Sequence, residues 1–233
     1  DGHGQYEEQL AAARVALVLL RDPNPELAVR NLETLERAEA VLSDRVINHQ
    51  RQDLVAELAR VWERKHLESL ELGPTQESLA DLHRVVSVLD EGLLRFGKVE
   101  LLLDYARLTA RLGWKLFQLD SNRDQAVDLL SKSVRTWEHL AAVPREYPTK
   151  MLLTARAMLT YSLAVSPDSK SIALTHLDVA KREFDRLNDL RGQQEPTDDA
   201  RFVMRLLNAA CALLGRDVCF IWRVGLREEA KTA

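Results

Sequence analysis

The chain of 233 residues contains only two cysteines, nine glycines and 6% aromatic residues. Cys211 and Cys219 provide neither a disulfide framework nor the paired spacing of a zinc site. The scarcity of aromatic residues leaves Leu, Ala and Val to build the core, and such a core suits helices more than β-strands. No apolar run approaches the roughly 18 residues of a membrane-spanning helix, and no signal peptide is recognisable, so we expect a cytoplasmic protein.

The chain also lacks an excess of positive charge and the common catalytic motifs. Its net charge of −4 gives no basic field to attract nucleic acid or a membrane surface. None of the motifs GxGxxG, GxxxxGK, GxSxG or HExxH occurs. Glu63 and His66 have the helical spacing of a carboxylate metal site, but the pattern occurs once and is expected to be a solvated helix face. We therefore expect no enzyme, no cofactor and no metal.

The prolines divide the chain into segments of helical periodicity. All seven lie between apolar-periodic segments, as expected if helices end there. Further breaks fall at 48–53, 96–98 and 120–122. These breaks predict nine helices that start near residues 5, 25, 52, 75, 98, 122, 148, 168 and 197.

An Ala-Arg pair recurs on every second predicted helix. It occurs at Ala13-Arg14, Ala59-Arg60, Ala106-Arg107 and Ala155-Arg156, with Met204-Arg205 as a variant. The arginines are 46, 47, 49 and 49 residues apart (60−14, 107−60, 156−107 and 205−156). A period just under about 50 residues is typical of stacked helical repeats. We call the helices that carry the pair A helices and the helices between them B helices.

Three of the four B helices share a second pattern, an alanine followed four residues later by leucine. The second B helix departs from it, with Arg84 four residues after Ala80. This spacing lets two helices approach closely while the leucine fills the gap between them. It predicts burial between helices for Ala28, Leu32, Ala126, Leu130, Ala173 and Leu177.

The two patterns together predict one repeat domain over residues 1–233. Each A helix and the B helix after it form an antiparallel hairpin, because the connections are short. The hairpins lie near 5–47, 52–96, 98–141 and 148–190. A capping helix at 197–215 and a C-terminal segment at 216–228 complete the domain.

Leu112-Gly113 and Leu214-Gly215 resemble the Leu-Gly pair in the first helix of a tetratricopeptide repeat. The B-helix alanines are similar to those of that family's second helix. The resemblance covers most of the chain with degenerate motifs, and the longer period implies longer helices. It implies an all-α, right-handed α-solenoid, a superhelix of antiparallel hairpins whose A helices line a concave groove. A HEAT-type solenoid is the alternative.

The arginines at equivalent positions of the A helices are the candidate binding residues. The set comprises Arg14, Arg60, Arg107, Arg156 and Arg205, together with Arg111, which follows Arg107 by one turn. Guanidinium groups suit carboxylates and peptide carbonyls, so one interpretation is a row that holds an extended peptide. The other interpretation is structural, with each arginine bridging to Asp or Glu on a neighbouring helix.

These observations favour a non-catalytic scaffold or adaptor for protein–protein interaction. Its partner would be a protein or peptide, and an arginine row would select an acidic one. The alternative is a regulatory or sensor module excised from a larger signalling protein or enzyme. An all-α enzyme is a third class, disfavoured because no reactive groups are arranged for chemistry. The oligomeric state is left open.

Overall fold

The structure, a computed structural model, describes residues 2–19, 24–72, 76–97, 101–120, 122–142, 145–191, 196–217 and 220. These residues form nine α-helices and no β-strand. The helices are α1 (Gly2–Leu19), α2 (Pro25–Ile47), α3 (Val55–Leu72), α4 (Gln76–Phe96), α5 (Leu102–Gln118), α6 (Arg123–Leu140), α7 (Glu146–Val165), α8 (Lys170–Arg191) and α9 (Asp198–Leu213). Over the described residues the all-α prediction is therefore confirmed. The largest difference in a helix start is at α5, predicted near 98 and found at Leu102.

The helix ends coincide with the breaks in the sequence because polar caps and glycines lie there. Gly97 and Gly215 have positive φ angles of 62° and 67° just beyond α4 and α9, a conformation that glycine adopts without strain. Three helices start after a residue whose side-chain oxygen accepts a backbone N–H of the first turn. These residues are Asn24, Asn122 and Thr197.

The chain forms two compact units, Asp1–Leu108 and Thr109–Ala233. The first unit contains α1 to α4 and the start of α5. Within it, α2 packs against α1 and α3, and α3 packs against α4. The second unit contains the rest of α5 and α6 to α9, and within it α7 packs against α6, α8 and α9. The single domain and the superhelix stay predictions.

The buried face of α2 corrects one residue of the predicted core. Leu32 is only half-buried, and the buried position next to it is Asn31. The Asn31 amide donates a hydrogen bond of 3.1 Å to the carboxylate of Glu68, which is completely buried on α3. A buried carboxylate needs hydrogen-bond donors, and a leucine could not supply one. The other five predicted core residues are buried: Ala28, Ala126, Leu130, Ala173 and Leu177.

Glycine allows a close helix contact in the second unit. A Cβ atom at Gly113 would lie 3.0 Å from both the Ala126 carbonyl oxygen and Leu130 Cγ. The carboxyl half of α5 therefore lies directly on α6, and a larger residue at position 113 would force the two helices apart.

The core of the second unit is shared by α7, α8 and α9. Leu153, Phe184 and Leu207 belong to it, and Phe220 packs edge-to-face on Phe184 with ring centroids 5.4 Å apart. Most of the predicted C-terminal segment 216–228 lies outside the described residues. Its described residue Phe220 is anchored by two hydrogen bonds between its backbone and the amide of Asn208.

Candidate functional site

The side chain of Arg156 on α7 lies between α6 and α8. Its side chain is only 3% exposed. The guanidinium donates to Glu138 on α6 at 2.6 Å and to Glu183 on α8 at 2.8 Å. Arg156 therefore joins three helices through charge-assisted hydrogen bonds and is not open to a partner.

The surroundings of Arg156 shift the pKa values of several groups. Burial acts to lower the pKa of Arg156, but the hydrogen bonds to Glu183 and Glu138 outweigh it, so the pKa is raised. Burial raises the pKa of the Glu183 carboxyl, while Arg156 opposes that shift. His176 on α8 lies 3.3 Å from Arg156, measured from Nδ1 to Nη1. Burial first, and then the positive charge of Arg156, lowers the pKa of His176.

Arg107 on α5 has the same kind of environment in the first unit. Both of its terminal nitrogens donate to the carboxylate of Glu63 on α3, and one also reaches Asp104 on its own helix at 3.2 Å. The hydrogen bond to Glu63 is the largest cause that raises the Arg107 pKa, against the opposing effect of burial. Arg107 thus bridges two A helices.

The other arginines at equivalent positions of the A helices are more open than Arg107 and Arg156. We call the whole set the arginine column. Arg60 is exposed and pairs only with Glu57, one turn earlier on α3, at 3.2 Å. Arg205 on α9 is exposed, and Arg14 on α1 and Arg111 on α5 are half-buried. Neither Arg14 nor Arg205 forms an ion pair with another described residue. The column therefore divides into structural bridges at Arg107 and Arg156 and open guanidinium groups at Arg60 and Arg205.

The first unit contains a buried ionic network that the sequence analysis missed. Arg64 donates to Glu68 at 2.7 Å, and both side chains are almost completely buried on α3. Next to them, Lys65 pairs with Glu39 on α2 at 2.6 Å and lies 3.9 Å from Asp81 on α4. Charges buried this deeply are stable only with partners. Arg64 and Glu68 are one turn apart on α3, but Glu39 and Asp81 lie on other helices, so the pairing of Lys65 could not be found from spacing along the chain.

The expectation for Glu63 and His66 as a solvated helix face is wrong. His66 is 1% exposed and lies on the core side of α3, while the carboxylate of Glu63 accepts hydrogen bonds from Arg107. No cluster of three or more His, Cys, Asp or Glu residues suited to a metal ion occurs among the described residues. Within that same part of the chain, every helix is too short or too polar to cross a bilayer.

A polar cleft lies on the second unit. It encloses about 480 Å³ between the outer face of α6, the carboxyl end of α7 and the turn that follows it. We call it the serine cleft, after its four serines. Its lining consists of Phe117, Arg123, Asp124, Val127, Asp128, Ser131, Arg135, Ser162, Leu163, Ser166 and Ser169.

The floor and walls of the serine cleft are held by contacts within the unit. Phe117 stacks on Trp114 with ring centroids 5.4 Å apart and meets Tyr161 edge-to-face at 5.9 Å. Ser131 and Ser162 donate their hydroxyl protons to carbonyl oxygens one turn earlier on their own helices, at 2.7 and 2.8 Å. Each hydroxyl oxygen keeps a lone pair that can accept a further hydrogen bond, but Ser162 is only 4% exposed, whereas Ser131 is half-buried.

Two charged side chains at the rim of the cleft form ion pairs with residues just outside the lining. Arg123 pairs with Asp120 at 2.6 Å, and Asp128 pairs with Lys132 at 3.0 Å. Arg135 is exposed, and its Nε donates to the Ser131 backbone carbonyl at 3.4 Å. No carboxylate among the described residues pairs with Arg135.

Comparison of the chain with protein-family models, with curated proteins and with solved structures finds no match.

Replacing Arg156 with methionine should lower the free energy of unfolding by about 3–5 kcal/mol, because it leaves Glu183 buried without its partner. Arg60→Met removes an exposed guanidinium from the equivalent position on α3 and should lower the free energy of unfolding by at most about 1 kcal/mol. Urea unfolding of both variants measures the difference. Adding Glu183→Gln to Arg156→Met should recover part of the loss. Equal stability of the two single variants would show that Arg156 has no structural role.

The free energy of unfolding should fall as the pH drops from about 7.5 to about 5.5. In the folded protein the pKa of His176 is below the ordinary histidine value of about 6.5. The unfolded chain therefore binds more protons in this range, and stability present above pH 6.5 is lost on acidification. His176→Gln should reduce the slope without abolishing it, because burial also lowers the pKa of His83. An unchanged slope in urea titrations of His176→Gln would contradict the assignment.

Proposed function

We propose that this protein is a non-catalytic protein-interaction module that holds an extended peptide segment of a partner in the serine cleft. The observation that carries the proposal is a cleft of about 480 Å³ whose described lining combines serine acceptors, an arginine with no carboxylate partner and apolar side chains. This volume is within the range of about 300–1,000 Å³ typical of ligand sites.

The chemistry of the lining matches an extended peptide. Such a peptide exposes backbone N–H groups, and the half-buried hydroxyl oxygen of Ser131 can accept a hydrogen bond from one of them. Arg135 can donate two parallel hydrogen bonds to an Asp or Glu side chain of the peptide. Phe117 and Val127, both half-buried, offer apolar contact area in the same lining. The preferred ligand is therefore a peptide with an acidic residue near apolar ones.

The lining gives less support to catalysis. None of the described residues that line the cleft is His or Cys, the side chains most often used as base or nucleophile near neutral pH. The two carboxylates in the lining, Asp124 and Asp128, are exposed. We infer that binding, and not chemistry, is the function of the cleft.

A display library of random peptides selected on the full chain tests this proposal. Enriched peptides should contain Asp or Glu and bind with micromolar affinity. Arg135→Glu should weaken the best peptide about tenfold or more, because a charge-assisted hydrogen bond contributes about 1.5–3 kcal/mol. Ser166→Trp should block the cleft and have a similar effect.

Arg205→Glu and Arg60→Glu serve as matched controls, since both remove exposed arginines outside the cleft lining. They should leave the affinity within about twofold, because exposed charges at a distance are screened at physiological ionic strength. Loss of binding in these controls with retention in Arg135→Glu would place the peptide on the arginine column and contradict the cleft. Failure to enrich any peptide would also count against the proposal.

A further inference from the structure

The first helix of the chain is apolar on two opposite faces. One face, formed by Ala11, Val15 and Val18, is buried within the first unit. The other face is exposed and carries side chains at spacings of four, three and four residues. These are Tyr6, Leu10, Ala13 and Leu17, and we call them the α1 stripe.

The register of the Ala-Arg pairs shows what the α1 stripe corresponds to elsewhere in the chain. Aligning Arg14 with Arg156 places Leu10, Ala13 and Leu17 at the positions of Leu152, Ala155 and Leu159 on α7. Those three α7 side chains are 7%, 1% and 1% exposed.

The equivalent face is thus covered by a neighbouring helix in one repeat and open in another. Tyr6 and Leu17 are 65% and 54% exposed, values unusual for large apolar side chains on the same face of one helix. A repeat protein normally ends in a polar outer face. The α1 stripe is therefore a helix-packing surface without a covering helix among the described residues.

The spacing of the stripe is that of a coiled-coil seam. Residues four, three and four apart place alternating knobs along one side of a helix. In an antiparallel pair of two such helices, Leu10 meets Ala13 of the other copy and Tyr6 meets Leu17. Each layer then combines a larger side chain with a smaller one, which allows close packing.

The charges beside the stripe select a second copy of this chain as the occupant. Glu7 and Arg14 lie one heptad apart on the same flank of the stripe. In the antiparallel pair, Glu7 of each copy lies beside Arg14 of the other, so two opposite-charge contacts form at once. Glu7 is 57% exposed although it also pairs with Arg45 at 3.4 Å, and Arg14 has no ion pair with another described residue.

We propose that α1 forms an antiparallel helix pair with α1 of a second copy of this protein. The pair has two-fold symmetry, as in most homodimers. An 18-residue helix is only about 27 Å long, so the α1 stripe buries less area than the roughly 1,200–2,000 Å² of stable interfaces. The expected dimer is therefore weak and reversible, with a dissociation constant in the micromolar range.

Sedimentation equilibrium of the full chain over a range of concentrations tests the pair. The parent protein should shift from monomer to dimer as the concentration rises. Leu10→Glu combined with Leu17→Glu should be monomeric throughout, because every layer of the antiparallel pair would then place a charged carboxylate against Ala13 or Tyr6 of the other copy. Leu94→Glu on α4 is the matched control, since Leu94 is 81% exposed and lies outside the stripe, and it should dimerise as the parent does.

Charge reversal tests the direction of the pair. Arg14→Glu and Glu7→Arg should each weaken dimerisation about fivefold or more, because both flanking contacts become repulsive. The double variant Glu7→Arg/Arg14→Glu should restore it. In a parallel pair Arg14 would lie beside Gln9, and the double variant would restore nothing.

Circular dichroism of every variant should match that of the parent protein, because the substituted side chains are exposed or, at Arg14, half-buried. A chain that stays monomeric at all concentrations would overturn the proposal and leave the α1 stripe to a different helix. A dimer that persists in Leu10→Glu/Leu17→Glu, or an unrestored double charge reversal, would overturn the antiparallel pair.

Discussion

The close approach of neighbouring helices at one small residue is the constraint on which the rest of this structure depends. In the Ala-Arg pairs of α3, α5 and α7, the alanines are 5%, 0% and 1% exposed. A side chain of this size lets a second helix lie close to the backbone, and the arginine that follows it lies either within that contact or beside it. Where that contact is tight, as at Arg156, the guanidinium has to be neutralised by carboxylates of the adjacent helices.

This constraint explains why one sequence feature has two different roles. At Arg107 and Arg156 the arginine joins helices, and its charge is used within the protein. At Arg60 the alanine beside it is buried, but the arginine points away from the contact and is 56% exposed. A guanidinium for a partner is instead available on α6, where Arg135 borders the serine cleft. The binding proposal therefore rests on the outer face of α6 and the carboxyl end of α7 more than on the arginines that recur most regularly in the sequence.

The local features of the fold could be predicted from the sequence, because caps, prolines and helical periodicity act over a few residues. The starts at Pro25 and Asp198 and the buried pair Ala126 and Leu130 are examples. Features that depend on the rotation of one helix against another could not. Asn31 replaces Leu32 in the core because Glu68 lies opposite, 37 residues later, and nothing near position 31 indicates this.

The candidate sites follow the same rule. The partners of Arg156 are 18 and 27 residues away on two other helices, so sequence spacing could not decide between a bridge and a binding row. The serine cleft combines residues from α5 to the turn after α7, and its serines have no shared spacing to mark them. The signal that could have found part of it is the run Asp124, Asp128, Ser131 and Arg135, a polar face of α6 at helical spacing.

Substituting the alanine of the Ala-Arg pair on two different helices, α7 and α1, tests most directly whether this alanine controls helix packing. Ala155→Leu should lower the free energy of unfolding by about 1–3 kcal/mol, because a larger side chain cannot enter the buried contact of α7. Ala13→Leu, at the equivalent but exposed position of α1, should change it by less than about 0.5 kcal/mol when measured at concentrations too low for self-association. Equal effects at the two positions would contradict the account, because they would show that the small residue does not control the helix contact.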